Sequence, residues 1–436
     1  MKAEQLDTPI WKNRNFISLW IGTVFSAVGD ASIFILLSWF VVDVTNSEGI
    51  LGTALLCMSL PRLFFMLVGG VIADRFNRKY VLAASVLARA IVLGLFSLFL
   101  MQGVGEWLTT GVYIMSVIFG IVDSFFWPAR SSIVPQVIAK EKLAAANSIM
   151  ETSQQLSMIV GPLFASFLLF SKNYPLMFFS ISIVFLMSMV AILAMKMGIQ
   201  TDSDTHTEET NAKSSMLQDT LAGIRYAKSI RSIVIILFLA LFINLMFMGP
   251  LHIGLPVLIK KLGWEGSTFG FLQGAVGVGA IAGALITGLA KGFRGYYVYL
   301  AAFIGILGLS ISALGLMTAL PFGLAAMFIA GFCISCTNIP IFTFIQTVVE
   351  DRMLGRVMSL LTMMASGLGP VSYALAAFIL EKGVATPAQL LLGGGLCLAI
   401  IGFACFLIRD FRRMEQHPAW QQSNKGLTET KQPVAL

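Results

Sequence analysis

Charged side chains are scarce in this chain. They make up 12% of its 436 residues, against 57% hydrophobic, where a soluble domain carries about 25% charged residues. That shortage excludes a solvated globular domain of any size. Histidine is scarcer still, with three copies, two of them (His206 and His417) in polar segments. The five cysteines, Cys57, Cys333, Cys336, Cys397 and Cys405, all fall in apolar stretches. No metal-spaced His/Cys set exists, and no metal site is expected. Cys333 and Cys336 form a CxxC, but at that spacing in an apolar helix they read as small packing residues. The sequence has no GxSxG, no HExxH and no GxxxxGK[ST]. It therefore lacks the constellations of a hydrolase, a zinc protease or an ATP site of its own. No enzyme activity and no cofactor are expected.

What the chain has is apolar runs. A helix crossing a bilayer needs about 20 mostly apolar residues. Such stretches occur at 16–42, 50–73, 80–101, 109–129, 148–170 and 175–195, then at 232–258, 268–290, 297–318, 322–345, 357–380 and 388–408. The pattern predicts an all-α membrane protein of twelve spans in two groups of six. The first run is too long, and its flank too mixed in charge, for a cleavable signal peptide.

The net charge of +7 is distributed as topology rather than as a binding patch for nucleic acid. With the N-terminus placed in the cytoplasm, inner segments collect 23 of the 29 Lys and Arg residues. Outer loops collect four (Lys172, Lys260, Lys261 and Lys382), and Arg62 and Arg89 remain inside spans. This is the positive-inside bias; it places both termini in the cytoplasm of a cell-membrane protein. Four regions follow: a first bundle at 1–198, a cytoplasmic linker at 199–231, a second bundle at 232–408 and a cytoplasmic tail at 409–436. Residues 199–219 are polar and lack aromatics, as a flexible linker would. The LAGIRYAKSIRS that follows has the character of an amphipathic segment on the inner membrane surface.

The halves echo each other. Pro128 is expected to end span 4, a charged loop follows, and span 5 carries Gly161-Pro162. In the second half Pro340 lies in span 10, a charged loop follows, and span 11 carries Gly369-Pro370. Paired interruptions in corresponding helices of two halves point to a transporter.

Between spans 2 and 3 the sequence reads GGVIADRFNRKYVL. Its Gly70, Asp74, Arg75, Arg78 and Lys79 resemble the signature of the major facilitator superfamily. The resemblance extends over essentially the whole chain and implies two six-helix bundles with alternating access. It also implies a gating latch at this hairpin, with Asp74 accepting from partners in the other half. The second-half counterpart, around 288–297, lacks the Asp. RNFISLWIGTVFSAVGDAS opening span 1, PARSSIVPQVIAKEKLAAANSIMET after span 4, and Gly161-Pro162 resemble the drug and macrolide exporter branch, which includes siderophore exporters. The GxxxGPxxGG motif of that branch is degraded here: Ser157 replaces its first Gly, and Ala165-Ser166 its last pair. GDAS and EKLAAAN are also similar to bacterial lysophospholipid transporters.

Ionisable residues inside a bilayer cost about 3 kcal/mol each and are functional suspects. They cluster in the first half as Asp30, Arg62, Arg89 and Asp123. Counting about 1.5 Å per residue puts Asp30, Arg62 and Arg89 near the midplane, and Asp123 about two turns from the inner end. Asp30 is the main proton or substrate candidate, with Arg62 as its expected partner and Arg89 as a structural one. Asp123 is expected to pair with Arg78 or Arg75 in the gating network, and Glu151 reads as a solvated acid near the start of span 5. The second half offers only Asn244, His252, Gln273, Asn338 and Gln346. One charged half and one apolar half, rich in Phe and Met, suit an amphipathic substrate. The expectation is a monomeric exporter of drug, macrolide or siderophore type, conferring antibiotic resistance by proton antiport. The alternatives are a lysophospholipid translocator without proton coupling and a transport-inactive sensor or scaffold.

Overall fold

The computed structural model describes residues 10–103, 105–139, 142–196, 224–290, 297–408 and 411. The side chains of 67–75, 144, 297, 351, 352, 359 and 366 are outside that description. So are most of the proposed linker and tail. Every described element is helical.

Ten helical stretches are long and apolar enough to cross a membrane. Leu143–Leu169, 27 residues long, and Tyr297–Leu314, 18 residues long, bring the set to six in each half, compatible with twelve spans. Large apolar side chains such as Phe167, Val190, Leu289 and Ile400 lie on the outside of the helices. Water would penalise that arrangement and hydrocarbon favours it.

Span ends follow local chemistry. Asn13 caps span 1 (Arg14–Thr45) by accepting from the amides of Asn15 and Phe16, and Asn46 closes it at φ 52°, a left-handed conformation that Asn tolerates. Asn77 caps span 3 (Arg78–Met101) and Asn173 caps span 6 (Tyr174–Leu193). A capping box of Thr386 and Gln389 opens span 12 (Pro387–Ala404).

The chain forms two compact units, Met1–Glu209 with Ile259–Gly274, and Thr210–Leu258 with Ala275–Leu436. In the first, span 1 packs on spans 5 and 6, span 3 on span 6, and span 4 on spans 2 and 3. In the second, span 7 packs on spans 11 and 12, and span 9 on spans 10 and 12. The pairings of spans 1 and 3 recur six spans apart in spans 7 and 9, in line with the sequence echo.

The first unit also holds Lys260, whose ammonium donates to the carbonyls of Val42 (2.7 Å) and Asp43 (2.6 Å) at the end of span 1. A cation at a helix C-terminus satisfies free carbonyls and the helix dipole together. Tyr174 donates to the Asp43 carboxylate at 2.6 Å beside it.

Two prolines depart from the expected pattern. Pro128 does not end span 4. That span runs as Leu108–Asp123, a two-residue break at Ser124 and Phe125, and a second helix Phe126–Val137. A proline has no amide to give the carbonyl four residues back, and its ring crowds that carbonyl, which here belongs to Ser124. The helix therefore breaks there and restarts with Pro128 in its first turn, where a missing N–H costs nothing. Gly369-Pro370 behaves similarly, opening a new helix Gly369–Glu381 after Asp351–Gly367. Its expected counterpart Pro162 lies inside an unbroken helix.

Candidate functional site

Extending span 4 to Val137 moves Asp123 from near an end to the middle of the span. It thus lies level with Asp30 on span 1, Arg62 on span 2 (Glu48–Arg75) and Arg89 on span 3, and the four side chains meet. Arg89 Nη1 donates to Asp30 Oδ1 at 2.7 Å and to Asp123 Oδ1 at 3.1 Å. Arg62 Nε lies 3.0 Å from Asp123 Oδ2. Two carboxylates and two guanidiniums make a formally neutral chain, Asp30–Arg89–Asp123–Arg62.

The middle of that chain is buried and its two ends are exposed. Arg89 is fully buried and Asp123 is 4% exposed, while Asp30 keeps 25% and Arg62 43% of side-chain surface. A buried ion pair persists only if its hydrogen bonds offset desolvation. Arg89 meets that condition unusually: its Nε and Nη2 have no partner among the described residues. Its guanidinium instead lies between two aromatic rings, with Cζ 4.7 Å from the Phe126 centroid and 4.9 Å from that of Phe185. Desolvated cation–π contacts of this kind contribute about 2 kcal/mol.

Glycines bring the four spans close enough for these contacts. A side-chain carbon at Gly120, one turn before Asp123, would fall on the carbonyl of Met58, one turn before Arg62. A side chain at Gly29 would meet the tip of the Phe185 ring. One at Gly161 would fall on Ala31, and Ser32 donates to the Gly161 carbonyl at 3.0 Å. The Gly-Pro motif of span 5 is thus the seat of span 1 beside Asp30. Ser166, standing where the motif of the exporter branch has Gly, donates to the carbonyls of Pro162 and Ser267, each at 3.0 Å.

Two expected pairings differ. Arg89, not Arg62, is the partner of Asp30. Asp123 meets Arg62 and Arg89, not Arg78. The second shift follows from the longer span 4, which a proline in a helical first turn concealed. Glu151 is exposed on span 5 and has no ion pair or hydrogen bond with the cluster. Of the hairpin signature, Gly70, Asp74 and Arg75 have side chains outside the described residues. Arg78 opens span 3, and Lys79 donates to the carbonyl of Met195 at 2.5 Å, which caps the end of span 6.

The second unit has no Asp, Glu, Lys or Arg well inside its described spans. His252 lies in a π-helical turn, Pro250–Gly254, with its ring 6.0 Å from Tyr373. Asn244 donates to its own helix at Ala240. Cys333 and Cys336 are buried free thiols, and Cys336 accepts from Thr287 at 3.4 Å. Sequence reading overlooked Phe126, Phe185, Gly29 and Gly120. An aromatic or a glycine in an apolar helix carries no signal until the opposite helix is known.

Ionisable side chains on four apolar helices are functional suspects in a membrane protein, and the match to a known family is that of a transporter. The Major Facilitator Superfamily pattern covers residues 19–374. The chain belongs to that family. This MFS transporter is 27% identical to the uncharacterized MFS-type transporter YkuC of Bacillus subtilis, over 91% of its own length and 93% of the relative's. It is 24% identical to macrolide efflux protein A of Streptococcus pyogenes, covering 93% and 98%. It is 26% identical to the enterobactin exporter EntS of Escherichia coli O1:K1, covering 81% and 82%. Its fold matches the crystal structure of the nucleoside transporter NupG with a TM-score of 0.71 at 12% identity, covering 92% and 98%.

Proposed function

We propose that this MFS transporter exports small amphipathic compounds in exchange for protons, from a cell membrane in which both its ends face the cytoplasm. One observation carries the reading: Asp30 is a partly exposed carboxylate with a single guanidinium partner, and that partner has a second carboxylate waiting. When Asp30 takes a proton, Arg89 keeps Asp123 and no buried charge is orphaned. When Asp30 releases it, Arg89 bridges both. A carboxylate that changes charge without unpairing its neighbour is what repeated proton exchange requires.

The substrate class rests on chemistry and on relatives. The charge chain of the first unit lies among apolar spans, which suits a molecule with a polar or cationic head and an apolar body. Relatives named for macrolide efflux and for enterobactin export support the outward direction. We expect one chain to suffice.

The test is a panel in proteoliposomes: a cationic dye, a macrolide, a catecholate siderophore and a lysophospholipid, each with and without an imposed pH gradient. Accumulation of the dye, macrolide or siderophore that collapses with the gradient supports the proposal. Movement of lysophospholipid alone, indifferent to the gradient, would replace it with lipid translocation.

A further inference from the structure

The break in span 4 lies next to the charge cluster, and one residue touches both sides of it. Asp123 is the last residue of the helix before the break, and it is paired to Arg89 Nη1 at 3.1 Å. Phe126 is the first residue of the helix after the break, and its ring stacks on the Arg89 guanidinium. Between them are only Ser124 and Phe125. Arg89 therefore fastens the two pieces of span 4 by different forces, an ion pair on one side and a cation–π contact on the other.

We infer that Arg89 is a positioning residue that couples the charge of Asp30 to the bend of span 4, with Ser124–Phe125 as the hinge and Phe126–Val137 as the moving arm. This inference rests on the proton reading of Asp30 given above.

The physical basis is one nitrogen held from two sides. Nη1 has two hydrogens and serves Asp30 at 2.7 Å and Asp123 at 3.1 Å, so its position is set by the pull of both carboxylates. Neutralising Asp30 removes the stronger pull, and the guanidinium then moves toward Asp123. The plane of a guanidinium is rigid, so the Nη1 shift tilts the whole group out of its stack between Phe126 and Phe185. Phe126 must follow or lose its contact. Pro128 has already removed the hydrogen bond that would stiffen the break, so the arm follows at low cost. Arg130, one turn further along, stacks at 4.9 Å on Trp127 and moves with the arm.

The charged groups around Asp30 are few. Span 2 presents Arg62, span 3 Arg89 and span 4 Asp123; span 6 has no charged residue, and the Glu151 of span 5 lies more than two turns from Gly161. Asp30 is thus the one member of the cluster whose charge changes Arg89 without breaking the Asp123–Arg62 pair.

The test is a double-mutant cycle read by maleimide labelling of Ser131→Cys, an exposed position on the arm. Protein lacking that substitution supplies the background from the native cysteines. All rates are taken at one pH on purified full-length protein. Asp30→Asn should change the labelling rate by at least about twofold, the low end of coupling between contacting groups. In a Phe126→Leu background the same Asp30→Asn change should do nothing. Arg89→Lys keeps the charge but cannot stack and bridge together, and it should abolish the response in the same way, which covers the case of a poorly folded Phe126→Leu. An unchanged rate in Asp30→Asn, or an equal response with and without Phe126, overturns the inference. Gradient-driven transport of the same proteins separates the two claims. Transport that ignores the gradient overturns proton coupling, whereas unresponsive labelling with intact coupling overturns the hinge alone.

Discussion

Replacing Asp30 and replacing Arg89 are not equivalent changes, because Arg89 has two carboxylate partners and Asp30 has one guanidinium. Asp30→Asn leaves Arg89 paired to Asp123 and keeps an oxygen that accepts from Nη1, so its cost to stability should be about 1 kcal/mol. Arg89→Met strands Asp30 and leaves Asp123 with the half-exposed Arg62, and should cost about 3–5 kcal/mol. Membrane abundance and thermal unfolding in detergent will separate them: near-normal values for the first, strong loss for the second. Equal losses would contradict the assigned partners. Gly29→Ala belongs with Arg89, since its methyl meets the Phe185 ring that covers the guanidinium, and overpacking of this kind costs about 1–3 kcal/mol. Replacing Phe185 by Leu in the same chain should recover part of that loss. The acids and arginines were legible as suspects because charge in an apolar run is conspicuous. Their pairing was not, since it depends on which helix faces lie opposite each other, and periodicity in uniformly apolar helices leaves those faces unmarked.

Helix against helix, the packing of span 1 on spans 5 and 6 recurs as span 7 on spans 11 and 12, with the chemistry exchanged. Spans 1 and 5 meet through a serine on the first, Ser32, and a glycine on the second, Gly161. Spans 7 and 11 meet through a glycine on the first, Gly249, and a serine on the second, Ser372, which accepts from the Gly249 amide at 2.7 Å and donates to Leu245 at 2.6 Å. Gly369, the sequence counterpart of Gly161, has open space where its side chain would be. Gly161→Val and Gly249→Val should therefore sharply lower folded yield, while Gly369→Val should be tolerated; detergent-extracted monodisperse protein is the readout, and the reverse ranking would contradict the packing. Pro128→Ala is the test specific to span 4. Restoring the amide lets it donate to Ser124, which should raise thermal stability while lowering transport, and a variant that transports normally would show that the break is not used. That the chain is a series of apolar membrane-length helices was readable from runs of apolar residues, and the break was not. Pro128 looks identical in sequence whether it ends a helix or begins one.

For the whole molecule, charge bias makes a topological prediction. Reporter fusions after Ser171 and Gly263 should read outside, and those after Arg78, Ser214 and Glu415 inside; an outside signal at Ser214 would contradict two bundles of six. The family was visible in the hairpin signature. Substrate identity was not, because an apolar cavity wall and a lipid-facing wall use the same Phe, Met and Leu. What unites the molecule in this account is a single proton site on span 1 that drives export. Its most direct test is flux of one transported compound through wild type and Asp30→Asn in proteoliposomes, measured both under a pH gradient and as exchange at equal pH. The account predicts that Asp30→Asn abolishes gradient-driven accumulation while exchange at equal pH persists. Full accumulation by Asp30→Asn would contradict it.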